Sequence, residues 1–240
     1  MQTDMQSART LITGGTSGLG LALVRELTLR GARVAFVART AERVAVVARE
    51  YGAHGIVGDI AKKEDIHLIA VQAAGVLGGL DVLVNNASDL GPTPLALLGD
   101  TECEDFERAL LTNVLGPFRL TKALLGSLAA SAREGRGSVV LNVSSDAAVN
   151  AYARWGAYGS SKAALAHMTR IWNEEMSMHG VKLLALDPGD MDTPMHALAV
   201  PDADHATLKQ PGVAAIELAD AIADLLPRSR CPSSSNGGSI

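Results

Sequence analysis

Aromatic residues make up only 3% of this 240-residue chain. That scarcity excludes the stacking surfaces with which proteins grip single-stranded nucleic acid or line a carbohydrate groove. Cysteine is nearly absent too. Cys103 and Cys231 stand too far apart to form a metal-ligand pair, and a chain of this length can bury a core without disulfides, so a reducing, cytoplasmic setting is expected. Positive charge is not in excess: 21 Lys+Arg face 26 Asp+Glu, a net charge of −5, which provides no basic field for a phosphate backbone. Long apolar runs are missing as well. The stretch Leu11 to Val24 is interrupted by Gly14, Gly15, Gly18 and Gly20, and Leu68 to Val84 by Asp81, so neither a signal peptide nor a membrane span is expected.

What is present is aliphatic and alternating. Apolar residues are 48% of the chain, and short β-branched runs recur at Thr10–Thr13, Arg33–Ala38, Gly55–Val57, Asp81–Val84, Ser138–Val143 and Val181–Leu186. These runs are nearly continuous, as in strands covered on both faces of a parallel sheet. Between them lie segments of helical length: Leu19–Arg30, Ala41–Tyr51, Lys62–Val76, Glu102–Ser131 and Ala157–His179, with a last helix at Val213–Leu226. Gly31, Gly52 and Gly180 follow three of these, where a residue of positive φ ends a helix. The pattern predicts one α/β domain over residues 1–227, a doubly wound Rossmann-like parallel sheet with helices on both faces. Residues 228–240 read as a loose tail.

Between the first strand and first helix stands Thr13-Gly14-Gly15-Thr16-Ser17-Gly18-Leu19-Gly20. Glycines there permit a tight turn and let backbone N–H groups approach a pyrophosphate at the helix N-terminus. The spacing T-G-x-x-x-G-x-G resembles that of the short-chain dehydrogenase/reductase family, and the resemblance implies NAD(P) binding by Gly14, Thr16, Ser17, Gly18, Leu19 and Gly20. At the end of the second strand, where an NAD-preferring fold places an acid on the ribose 2′-hydroxyl, the sequence has Ala38-Arg39. A guanidinium there can pair with a 2′-phosphate, so NADP(H) is expected over NAD(H). By the same resemblance Asp59 and Ile60 border the adenine. Asn85-Asn86-Ala87 matches the family's N-N-A-G element, with Asn86 and Ala87 beside the cofactor and Ser88 in place of the glycine.

Tyr158 and Lys162 stand at i and i+4 of a predicted helix and share one face. Ser145, thirteen positions before Tyr158, closes the fifth strand, and Asn113 lies in the long helix before it. The four residues resemble the family's Asn-Ser-Tyr-Lys tetrad. A phenol of ordinary pKa near ~10 exchanges protons poorly at neutral pH, and a neighbouring ammonium together with a bound oxidised nicotinamide is expected to lower it. The resemblance makes Tyr158 the general acid or base. Lys162 then holds the nicotinamide ribose, Ser145 orients the substrate oxygen and Asn113 fixes a relay water.

After the sixth strand, Pro188-Gly189 and Thr193 match the family's P-G-x-x-x-T stretch, which holds the carboxamide. The following segment, Met195 to Gln210, would close over a small-molecule carbonyl or alcohol. Trp155, Asp146, Asp190, Asp192, His196 and His205 receive no role. The extended branch of epimerases and dehydratases is disfavoured because Ser17 stands where its T-G-x-x-G-x-x-G loop needs glycine. A nucleotide sensor without turnover is disfavoured because both Tyr158 and Lys162 are present. The resemblance also implies a homodimer or homotetramer, paired through the two longest helices.

Overall fold

The structure is a computed structural model and describes residues 5–227. Six strands form one sheet: β1 Arg9–Thr13, β2 Arg33–Ala38, β3 His54–Val57, β4 Val82–Asn85, β5 Ser138–Val143 and β6 Val181–Leu186. Every pairing is parallel and the order is β3-β2-β1-β4-β5-β6. Around it stand α1 Gly18–Leu29, α2 Ala41–Tyr51, α3 Lys63–Leu77, α4 Cys103–Leu110, α5 Gly116–Arg133, α6 Gly156–Met176, α7 Pro194–Ala199 and α8 Pro211–Ala223. This is the doubly wound sheet expected from the alternation of strand and helix patterns.

Successive side chains of a strand point to opposite faces, and here both faces are dry. Ile12, Phe36, Val84 and Leu141 pack with Leu23 and Leu27 of α1 and Leu218 and Ile222 of α8. Their neighbours Leu11, Val37, Leu83 and Val140 pack on the other side with Ile66 and Ile69 of α3 and Leu120 and Leu124 of α5. Double coverage explains why the strands read as unbroken apolar runs. Gly31, Gly52 and Gly180 all have positive φ, 88°, 65° and 70°, and end their helices as expected.

One long element differs. The stretch expected as a single helix, Glu102–Ser131, is α4 and α5 joined by a π-helical turn at Leu111–Leu115. Pro117 has no N–H to donate to the carbonyl four residues back, that of Asn113, so the α-helical ladder cannot run through this point. The segment 228–240, read as a loose tail, lies outside the described residues.

Candidate active site

The strand order reverses between β1 and β4, and open α/β sheets bind ligands outside the carboxyl ends of their strands at such a point. A cavity of about 850 Å³ opens there. Its first wall is the glycine loop. Gly14 and Gly18 adopt φ of 73° and 50°, and a Cβ on Gly20 would overlap the Gly14 carbonyl oxygen. The loop is pinned to the end of β4. Asn86 Nδ2 donates to the Thr13 carbonyl at 2.9 Å, and the Asn86 and Ala87 amides each donate to Thr13 Oγ1 at 3.0 Å. Ser17 makes no side-chain cap on α1, so the first-turn N–H groups of that helix have no capping partner, and Ser17, Gly18, Leu19 and Gly20 line the cavity. A helix end of this kind suits an anionic group.

Arg39 lines the same cavity, as the strand-end argument anticipates, and Arg43 joins it. Neither guanidinium has a hydrogen bond or ion pair among the described residues. Sequence reasoning passed over Arg43, although its place four residues after Arg39, in the first turn of α2, puts two cations on one helix end. Asp59 and Ile60 line the cavity beyond β3, with Asp59 Oδ1 taking the Ala61 amide at 3.0 Å. Gly14, Thr16, Asn86, Ala87, Pro188, Gly189 and Thr193 also line it. Thr193 caps α7, its Oγ1 accepting the His196 amide at 3.2 Å.

Tyr158 and Lys162 both face inward from α6 and are 9% and 2% exposed. Lys162 Nζ lies 5.4 Å from the centre of the Tyr158 ring and donates to the Val143 carbonyl at 2.7 Å. Ser145 sits at the end of β5, its Oγ donating to Asp146 Oδ1 at 3.1 Å and accepting the Ala147 amide at 3.2 Å. On their own, the protein's groups do not lower the phenol. Burial pushes Tyr158 up to about 12 against the opposing hydrogen bonds of Ser145 and Ser88. Burial likewise pulls Lys162 down to about 8, with the Asp187 carboxylate opposing. Desolvation penalises the charged form of each, and here it outweighs the hydrogen bonds to Tyr158 and the Asp187 carboxylate that acts on Lys162.

Asn113 is the one tetrad member that does not line the cavity. It is 1% exposed. Its Nδ2 donates to the Asp89 carbonyl and to Ser161 Oγ, at 2.7 and 2.8 Å, while its Oδ1 accepts from Ser88 Oγ and the Asp89 amide, at 3.0 and 2.8 Å. All four valences of the carboxamide are therefore filled by protein. Ser88, in place of a glycine, has no left-handed φ and contributes its hydroxyl to this bracket. Trp155 meets Tyr158 edge-on at 5.6 Å, and with Asp146, Tyr152, Asp190 and His196 it lines the far end of the cavity. His205 instead pairs with Asp192 at 2.8 Å.

Residues 8–204 match the family model described as short chain dehydrogenase. The chain belongs to that family. A 2,5-dichloro-2,5-cyclohexadiene-1,4-diol dehydrogenase of Sphingobium indicum is 34% identical over 195 residues, 80% of this chain and 76% of its own. Among solved structures, a short chain dehydrogenase from Burkholderia cenocepacia in complex with NADP superposes with a TM-score of 0.80 at 27% identity, covering 91% of each chain. A 3-ketoacyl-(acyl-carrier-protein) reductase from Brucella melitensis complexed with NADH does so at 0.83 and 26%, covering 90% of each. The family is one of nicotinamide-dependent oxidoreductases, and its members include complexes with either cofactor. Among the described residues no helix is long and apolar enough to cross a membrane.

Proposed function

We propose that this short-chain dehydrogenase is an NADP(H)-dependent oxidoreductase for a carbonyl/alcohol pair of a small molecule, with Tyr158 as its general acid and base. The observation that carries the reading is convergence. Tyr158, Lys162 and Ser145 open onto the same cavity as the uncapped N-terminus of α1. The glycine loop would hold the pyrophosphate, and Pro188, Gly189 and Thr193 the carboxamide. A nicotinamide held by these residues would supply the hydride exchange with the substrate carbon.

The protein's share is the proton. In reduction Tyr158, kept protonated by burial, gives its phenolic hydrogen to the oxygen that becomes the alcohol, and Ser145 donates to that oxygen. The phenolate left behind is stabilised by the Lys162 ammonium near its ring and regains its proton by way of Lys162. In oxidation the same proton moves from substrate hydroxyl to Tyr158. With its carboxamide filled, Asn113 takes part through its main chain, at the carbonyl that Pro117 leaves without an α-helical donor. Arg39 and Arg43, both without partners among the described residues, favour a 2′-phosphate, since no acid stands at this strand end. The chain acts as a homodimer or homotetramer.

The test follows nicotinamide absorbance with a panel of ketones, aldehydes and alcohols. Tyr158→Phe is expected to lower kcat by about 10²–10⁴-fold while NADPH affinity stays within a few-fold. An ordinary rate in that variant overturns the acid–base assignment, and tighter binding of NADH than of NADPH overturns the cofactor assignment.

A further inference from the structure

Asp146 immediately follows Ser145 and lines the cavity with it, yet the chemistry above gives it no task. Its Oδ1 takes the Ser145 hydroxyl at 3.1 Å and its Oδ2 takes the Tyr152 hydroxyl at 2.6 Å. No Lys, Arg or His pairs with it among the described residues. Arg108, which also lines the cavity, is held by Asp89, Asp105 and the Gly91 carbonyl. The Tyr152 hydrogen bond, opposed by partial burial and aided by Ser145, keeps the Asp146 carboxyl below its ordinary range. An exposed carboxylate that takes hydrogen bonds from Tyr152, Ser145, the Ala147 amide and Asn150, and has no cation on it among the described residues, is therefore part of the substrate wall.

Counting protons sharpens the point. A serine hydroxyl has one hydrogen to donate, and the Asp146 carboxylate, 3.1 Å from Ser145 Oγ, competes for it with the Tyr158 oxygen, which Ser145 also meets. The same hydrogen is needed on the reacting oxygen. A substrate that offers Asp146 a replacement donor releases the Ser145 hydrogen, whereas one without a donor must draw it away from an anion, a charge-assisted bond of the stronger kind. Because Asp146 Oδ1 lies one hydrogen-bond length from Ser145 Oγ, a substrate lying alongside this pair has its replacement donor about one hydrogen-bond length from the reacting oxygen. Groups on adjacent carbons meet that spacing.

We propose that Asp146 selects substrates bearing a hydroxyl or ammonium on the carbon next to the one that reacts, and that this donor, by occupying Asp146, frees Ser145 for the reacting oxygen. Asp146 is thus a specificity determinant that also positions Ser145. The inference rests on the oxidoreductase reading of the same cavity. An anionic group at the adjacent carbon would meet the carboxylate and is rejected.

The experiment uses the full chain with NADP⁺ and a matched set: cyclohexane-1,2-diol, 2-aminocyclohexanol, 2-methylcyclohexanol and 2-hydroxycyclohexanecarboxylate. The wild-type protein is expected to show kcat/KM for the diol or the amino alcohol about 10- to 100-fold above that for the methyl analogue, with the carboxylate lowest. The two donor-bearing alcohols separate a neutral from a cationic preference. In Asp146→Asn and Asp146→Ala the ratio of donor-bearing to methyl substrate is expected to fall at least tenfold, with part of the loss in kcat because Ser145 is affected. A structural role would lower all four substrates alike and leave the ratio where it was, which overturns the proposal. Wild-type turnover with no preference for the donors also overturns it, independently of how the variants fold. Absence of turnover with every ketone, aldehyde and alcohol overturns the oxidoreductase reading itself, and this inference with it.

Discussion

Lys162 is a cation held almost out of water, and its one hydrogen bond among the described residues goes to the Val143 carbonyl. Burial lowers its folded pKa to about 8 from 10.5, so between these values the unfolded chain binds more protons than the native one. Stability must then rise with pH across that window. Tyr158 shifts the other way, from 10.0 to about 12, and begins to reduce stability only above pH 10, where the unfolded phenol ionises first. Between pH 8 and pH 10 the lysine effect stands alone. Relative to Lys162→Met, the wild-type protein is expected to gain roughly 2–3 kcal/mol over this range, measured as the difference in urea unfolding free energy at the two pH values. Parallel pH dependence of the two proteins would show that Lys162 is not desolvated. The positions of Tyr158, Lys162 and Ser145 were legible from their resemblance to the family's tetrad, with helix periodicity and the strand end placing them. Their protonation was not. Burial sets it, and burial comes from Trp155, Val143 and the α6 packing, which no local motif records. The proton of Ser145 was equally hidden, since its direction depends on Asp146, a residue that spacing left without a role.

Asp81 lies at the opposite end of the strands from the cavity, at the entrance to the central strand β4, and is 1% exposed. It accepts the Arg9 amide at 2.8 Å and Arg9 Nη2 at 2.7 Å, Arg136 Nη2 at 2.9 Å, and the Ser131 hydroxyl. One carboxylate thereby joins the starts of β1 and β4 to the turn that leads into β5. Burial pushes its pKa up, but the hydrogen bonds from Arg136, Arg9 and Ser131 outweigh that and bring it to about 2 from 3.8. Because the folded value is depressed, the contribution is present above pH 4 and is lost as pH falls through 2. It amounts to roughly 2 kcal/mol. Asp81→Asn leaves two guanidiniums facing a neutral group and is expected to cost about 3 kcal/mol at pH 7. The variant's deficit in urea unfolding should narrow as the pH is taken from 6 towards 2, and a deficit independent of pH would mean that packing, not charge, carries Asp81. At this scale the sequence spoke clearly where an element faces two layers, as β1, β4 and β5 do. It spoke less clearly where a helix is interrupted from within. The turn at Leu111–Leu115 was readable in principle from Pro117, whose missing N–H falls opposite Asn113. Helical periodicity continues across it, however, and periodicity was the signal followed. Asp81 itself was read as the first residue of a strand, because its value lies in partners 50 and more residues away, Ser131, Arg136 and Arg9.

The two long helices are two-faced at the scale of the whole molecule. α6 turns Tyr158 and Lys162 inward, while on its other side Ile171 is 48% exposed. Beside it Trp172 stacks on Phe118 of α5 with ring centres 5.3 Å apart, and Leu115, just before α5, is 38% exposed. In a chain with so few aromatic residues, two of them stacked between neighbouring helices next to exposed aliphatics mark an apolar face that a second copy can cover by a two-fold axis. Self-association of this kind places each residue opposite a copy of its own surface, so one charge introduced near the axis is repeated across it. Light scattering of the wild-type protein is therefore expected to give a mass that is a multiple of 24.9 kDa, and Ile171→Asp is expected to shift it towards the single-chain value. Retained helical circular dichroism in that variant would separate dissociation from unfolding. A wild-type protein that stays at the single-chain mass at micromolar concentration would mean that this face is left bare, and that the inward architecture holding Tyr158 and Lys162 stands without a partner behind it.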